Sequence, residues 1–158
     1  RKSSIANEVE RQLHSLGIRT FVLDGDAVRG GLCKDLGFTE EDRAENVRRV
    51  AEVARLMVDA GVVVLVCLVS PFRVDRRTAR ALFDEGEFSE VFVDTPLEVC
   101  IERDPKGLYA KSAAGNLPNM SGVGQTYETP TNPEVHVNGR EPIKVSAQQV
   151  LEALDVHK

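Results

Sequence analysis

Val62-Val63-Val64-Leu65-Val66-Cys67-Leu68-Val69 is an unbroken apolar run rich in β-branched residues. A run of this length without polar alternation reads as a central parallel strand covered on both faces. Gly61 supplies the stop for whatever precedes it, and Ser70-Pro71-Phe72-Arg73 ends the run. A helix is expected from there to about Asp84.

Upstream, Thr39-Glu40-Glu41-Asp42 offers an N-cap residue followed by an acidic first turn. Val47, Val50, Ala51, Ala54, Leu56, Met57 and Val58 then carry a long helix to Gly61. Ile5, Val9, Leu13 and Leu16 predict an amphipathic helix over about 3–16, and a strand follows near 19–24. Asp26 to Leu32 reads as a short helix closed by Gly30-Gly31. Downstream, Ser89 to Val93 predicts a strand and 96–103 a helix. Val135-His136-Val137 gives a last strand, and Ser146 to Leu154 a closing helix. This alternation predicts a doubly wound α/β fold, a mostly parallel sheet with helices on both faces. Ligands of such folds bind beyond the carboxyl ends of the strands. The stretch 104–133 is rich in Gly, Pro, Asn and Ser and too long for an idle connection, so it is expected to form a lid.

Asp24-Gly25-Asp26 stands at one of those carboxyl ends, after Thr20-Phe21-Val22-Leu23. Two carboxylates one residue apart repel unless cations or exchangeable protons use them. Gly25 lets the backbone turn and another group come close. Arg29, within one helical turn, adds a cation for an anionic substrate. Taken alone, the tripeptide could equally be an acidic turn in which Asp26 caps a helix.

The first residues bear on that choice. Lys2-Ser3 directly precedes a helix, as in the tail of a P-loop, whose Lys reaches terminal phosphates and whose Ser hydroxyl binds Mg²⁺. A plain basic N-terminus has the same residues. Arg1 stands where the P-loop pattern has Gly, so the N-terminal strand and most of the loop are expected to be missing from the chain. Nucleotide kinases set an acidic strand end beside the P-loop strand, and the spacing from Lys2-Ser3 to Asp24 suits that arrangement.

The 158 residues, 42% of them hydrophobic, suit one domain over 1–158. A charged fraction of 28%, mixed in sign with net charge −5, argues against a general nucleic-acid or membrane surface. No signal peptide and no membrane-length apolar run is apparent, so a cytoplasmic protein is expected. Cys33, Cys67 and Cys100 lack metal-ligand spacing. Cys67 and Cys100 read as core thiols, and Cys33 as a loop thiol near the acidic motif with conceivable reactivity. His14, His136 and His157 are scattered and receive no catalytic role.

With these pieces placed, the chain resembles the adenylyl-sulfate kinase (APS kinase) family of P-loop kinases over nearly its whole length. The matching stretches are Leu23-Asp24-Gly25-Asp26-Ala27-Val28-Arg29, Asp35-Leu36-Gly37-Phe38, Asp42-Arg43-Ala44-Glu45-Asn46, Ser70-Pro71-Phe72-Arg73 and Val91-Phe92-Val93-Asp94-Thr95-Pro96. The most specific is Glu102-Arg103-Asp104-Pro105-Lys106-Gly107-Leu108-Tyr109. The resemblance implies transfer of the ATP γ-phosphoryl group to the 3′-hydroxyl of adenosine 5′-phosphosulfate (APS), forming PAPS for sulfate assimilation.

Implied roles follow the demands of phosphoryl transfer, which are positioning and charge neutralisation. Lys2, Ser3 and Ser4 would hold the ATP phosphates, with Ser3 also serving Mg²⁺. Asp26 would act on the acceptor hydroxyl as base or orienting group and Asp24 would serve the metal, although the two could exchange roles. Arg29, Arg43, Asn46 and Ser70 match the family's acceptor contacts. Phe38 matches an aromatic that stacks on the APS base. Lys111 matches a lid cation, and Arg103 lies where the family contacts ATP's adenine. Arg73 is left open between a ligand contact and a surface pair.

Several residues depart from the family pattern. Ala27 and Cys33 replace frequent asparagines, Met120-Ser121-Gly122 replaces Phe-Thr-Gly, and Ala113 replaces a common Arg. The resemblance also implies a homodimer or larger homo-oligomer and allows a fused ATP sulfurylase domain. A second reading, a non-catalytic APS-kinase-like regulatory domain of such a fusion, is motivated by the absent glycine loop and the lid substitutions. A kinase for another small hydroxyl acceptor would leave Asp104-Pro105-Lys106-Gly107-Leu108-Tyr109 to coincidence.

Overall fold

Ile5, Val9 and Leu13 become the covered stripe of the first helix, α1 (Lys2–Ser15). In a computed structural model, residues 2–96 and 126–154 are described. After α1 come β1 (Thr20–Asp24), α2 (Gly25–Gly30), α3 (Glu40–Asp59), β2 (Val63–Cys67) and α4 (Arg73–Arg80). Then follow β3 (Val91–Asp94), β4 (Val135–Asn138) and α5 (Ile143–Ala153).

Local chemistry accounts for the boundaries. Thr39 caps α3 by accepting from the Asp42 N–H at 3.1 Å, and the acids of that first turn face the positive end of the helix dipole. Gly61, at φ +88°, takes the left-handed conformation that turns the chain from α3 into β2. Several ends differ from expectation: the 62–69 run forms a strand only over Val63–Cys67, and the short helix spans Gly25–Gly30 rather than Asp26 to Leu32. Helix α4 stops at Arg80 rather than Asp84, β3 begins at Val91 rather than Ser89, and α5 starts at Ile143, just after Pro142. Proline fixes its own φ and lacks an N–H, so it serves well immediately before a helix. Residues 97–103 of the helix expected over 96–103, Cys100, His157 and most of the lid (104–125) fall outside the described residues.

Strands β1 and β2 pair in parallel, from Thr20↔Val63 to Asp24↔Cys67. Strands β3 and β4 pair in parallel, from Val91↔Val135 to Asp94↔Asn138. Among the described residues these are two separate pairs, so β2 is bonded on one edge only. Its two faces are nevertheless both covered. Val63 and Leu65 meet the core built on α1 and α5, while Val64 meets the core built on α3. Period-two alternation does this: neighbours on a strand point to opposite faces. Val66 is the exception, at 45% exposed.

Helix α1 ties the two strand pairs together. Ile5, Val9 and Leu13 pack with Val63 and Leu65 of β2, Val91 and Val93 of β3, Val135 and Val137 of β4, and Ala147 and Val150 of α5. A fully buried Leu13 contributes about 1.5–3 kcal/mol, so losing this stripe would uncouple both pairs. Opposite α1, the α3 face brings Val50 and Ala54 against Leu23, Val28 and Cys33. Cys33, expected in a loop with conceivable reactivity, is instead completely buried there. Val50 and Ala54, which help cover it, are remote in sequence, so the local pattern did not show its burial.

Candidate active site

The acidic turn forms where β1 runs into α2. Asp24, not Asp26, is the N-cap: its Oδ1 accepts from the Asp26 N–H at 3.2 Å. Its other oxygen, Oδ2, accepts from the Ser3 hydroxyl at 3.0 Å. Both oxygens of Asp24 are thus engaged, whereas Asp26 sits exposed in the first turn of α2. The Ser3 contact brings the start of α1, with exposed Lys2 and Ser4, to the tip of β1.

The end of β2 closes the other side. Asp24 stands opposite Cys67 in the parallel register, and a Cβ at Gly25 would meet the Cys67 carbonyl at 3.2 Å. Gly25 therefore permits a close backbone approach that a larger residue would push apart. The Cys67 thiol, whose Sγ lies 3.8 Å from the Lys2 carbonyl, is pushed up to about 11 by burial and then by the Asp24 charge, with Lys2 opposing. It stays a thiol at neutral pH and is no nucleophile. We expect peptides carrying Cys33 and Cys67 to resist iodoacetamide in the folded protein at pH 7 and to react after denaturation. Mass spectrometry of the two peptides checks this, and rapid labelling of the folded protein would contradict the burial.

A second cluster lies past the other end of α2. The guanidinium carbons of Arg29 and Arg43 stand 4.3 and 5.5 Å from the Phe38 ring centre. Arg29 donates to the Gly37 carbonyl at 2.9 Å and Asp42 accepts from the Gly37 N–H at 2.9 Å, so that peptide is held from both sides. Arg43 is only 6% exposed; burial, and then the charge of Arg29, hold its pKa below the usual arginine value. Two like charges about one ring are unfavourable alone and complementary to an anion. Asn46, one turn along α3 from Arg43, is buried with Oδ1 lacking a partner among the described residues. Phe38 keeps 38% of its surface exposed. Together these groups offer cations, an acceptor and an aromatic face to a flat, anionic molecule.

Ser70, at the start of the turn after β2, has φ +44°, a conformation costing a non-glycine residue about 1–3 kcal/mol. Arg73, left open between ligand contact and surface pair, donates through Nε to the Thr129 carbonyl at 2.8 Å. Arg103 and Lys111 lie outside the described residues. Sequence reasoning missed a pocket of about 430 Å³ beyond β3 and β4, lined by Asp94, Pro96, His136, Asn138 and Arg140. Its signal was available in the polar residues that end both strands, since ligands of α/β folds gather there. Among its lining residues, His136 Nε2 lies 2.9 Å from Asp94 Oδ2.

Against known proteins, the model of the family described as adenylylsulphate kinase matches residues 1–138. The chain belongs to the adenylylsulphate kinase family. One relative in it, the adenylyl-sulfate kinase of Citrobacter koseri, is 56% identical over 97% of this chain and 76% of its own length. Another, the bifunctional enzyme NodQ of Rhizobium meliloti, is 62% identical over 89% of this chain. The chain spans only 22% of that protein's length. Among solved structures, the APS kinase CysC of Mycobacterium tuberculosis, in complex with AMPPNP and APS, superposes with TM-score 0.93. It is 46% identical and covers 98% of this chain and 91% of its own. The expected α/β fold of P-loop kinase type is therefore the fold of this family.

Proposed function

We propose that residues 1–158 form an APS kinase domain that transfers the ATP γ-phosphoryl group to the 3′-hydroxyl of APS, yielding PAPS and ADP. The observation that carries the reading is the Ser3–Asp24 hydrogen bond, which joins the start of α1 to the acidic turn. Support comes also from family membership and from the Arg29–Phe38–Arg43 cluster, one short helix away from Asp26.

In this reading Lys2, Ser3 and Ser4 bind the ATP phosphates, aided by the N–H groups at the start of α1. Ser3 Oγ and Asp24 Oδ2 would hold Mg²⁺. Two hard oxygens 3.0 Å apart suit an ion that keeps most of its waters, and no larger group of acids, His or Cys gathers among the described residues. When bound, Mg²⁺ neutralises charge on the phosphates. Asp24 engages the Ser3 hydroxyl and the Asp26 N–H, and Asp26, exposed in the first turn of α2, would orient the acceptor hydroxyl and take its proton. The 3′-oxygen forms its bond to the γ-phosphorus as the bond to the β–γ bridging oxygen breaks. ADP leaves with that electron pair, and Asp26 returns the proton to solvent. Arg29 and Arg43 bind the phosphosulfate, Phe38 stacks on the adenine, and Asn46 and Ser70 complete the acceptor site. Arg103 would contact the adenine of ATP, and Lys111 would supply a cation of the segment 104–133.

No helix among the described residues is long and apolar enough to cross a membrane. A cytoplasmic homo-oligomer is proposed, in which a fused second enzyme, as in the bifunctional relatives, is compatible with the same site. The test is direct: folded protein given Mg-ATP and APS should release PAPS, read by anion-exchange chromatography. Folded protein that binds both nucleotides without forming PAPS would sink the catalytic reading and favour a regulatory nucleotide sensor.

A further inference from the structure

Arg76 has no part in the chemistry above, yet its guanidinium is engaged on every side. Nη1 donates to the Ser70 carbonyl at 2.6 Å and Nη2 to the Glu128 carbonyl at 2.6 Å. Nε pairs with Glu90 at 2.9 Å, the two side chains being 12% and 18% exposed. The same group stands 5.6 Å from the centre of the Tyr127 ring. Around it, the Glu128 N–H donates to the Pro71 carbonyl at 2.8 Å, and Glu128 Oε1 accepts from the Arg73 N–H at 2.8 Å.

What this network grips is unusual backbone. Among the described residues, Ser70 is the one non-glycine with positive φ. A conformation of that kind persists only where its surroundings over-determine it. The Pro71 ring fixes the following φ, and the bond to Arg76 fixes the direction of the Ser70 carbonyl. Lysine could not do this, since its single ammonium cannot span the Ser70 carbonyl, the Glu128 carbonyl and Glu90 in the plane of a fork.

We propose that Arg76 is a positioning residue for the acceptor site, holding the Ser70 turn in the conformation that receives the acceptor nucleotide. The inference rests on the APS kinase reading, in which Ser70 contacts APS. Its test titrates wild type, Arg76→Lys and Arg76→Ala calorimetrically with APS and separately with ADP, and compares kcat and KM. Arg76→Lys should weaken APS binding by roughly 10-fold or more, the scale of a lost charged hydrogen bond, with ADP affinity changed less than about twofold. At saturating APS, kcat should stay near wild type. Arg76 borders a cavity of about 130 Å³ also lined by Arg73, Arg77 and Pro130, so free guanidinium ion should restore APS binding to Arg76→Ala.

Unchanged APS affinity in Arg76→Lys overturns the proposal. So does a parallel loss for APS and ADP, which marks a purely structural residue. Should Arg76→Ala fail to fold, the lysine variant decides alone. Wild type that binds ADP but no APS would remove the function on which the inference stands. Wild type that binds APS beside an unaffected Arg76→Lys removes the inference alone.

Discussion

Asp26→Asn should lower turnover by roughly 10²–10⁴-fold, the range of a lost general base, while ATP and APS still bind at near wild-type affinity. Amide and carboxylate are nearly isosteric, so the variant keeps the shape of the turn and loses the charged proton acceptor. The fold should tolerate it. Asp26 contributes its backbone N–H to the Asp24 cap, and that N–H survives the change. By contrast, Asp24→Asn alters the oxygen that receives the Ser3 hydroxyl, so it should disturb nucleotide phosphate binding as well. Steady-state rates with both substrates varied separate the two variants. Normal kcat in Asp26→Asn would remove Asp26 from the chemistry and return the base to Asp24.

Arg43→Ala is expected to raise the KM for APS by roughly 10–100-fold, as for a charged hydrogen bond lost from a partly desolvated site. The KM for ATP should scarcely move. The guanidinium is buried beside Phe38 and near Arg29, so truncation also opens space under the ring and relieves one like-charge contact. Those effects on stability oppose each other, and a thermal melt of the free protein measures their balance independently of kinetics. Arg43→Lys should recover little, because an ammonium stacks poorly and cannot make two parallel hydrogen bonds to one anion. A rise confined to the KM for ATP would mean that the acceptor and donor sites are exchanged.

Much of the fold was legible in the chain because its signals are local. The Ile5–Val9–Leu13 stripe, the Thr39 cap and the Gly61 stop each act within one or two helical turns, so spacing alone reveals them. The same holds for the Val62–Val69 run, whose alternate residues meet different cores. Ends were less legible where two local preferences compete, as after Arg80 and before Ile143. The residue types of the site were legible too: acids at a strand tip, a Lys-Ser before a helix, and arginines flanking an aromatic.

Their division of labour was not. From the residues of Asp24-Gly25-Asp26 alone, Asp26 was the expected cap; the resemblance set Asp26 at the acceptor hydroxyl and Asp24 at the metal, with an exchange of those two roles left open. Tertiary structure distinguishes the two acids, because the chain returns with Ser3 against Asp24 and leaves Asp26 exposed. Arg76 was equally silent, one arginine among several in Arg73-Val74-Asp75-Arg76-Arg77, until folding set Ser70, Glu90, Tyr127 and Glu128 around it. By itself the sequence determined the elements, their order and the chemical groups available at the strand ends. Only the tertiary structure decided which acid caps α2 and receives the Ser3 hydroxyl. Hydrogen-bond partners far apart in the chain are chosen by strand register and packing, and no short-range pattern records them.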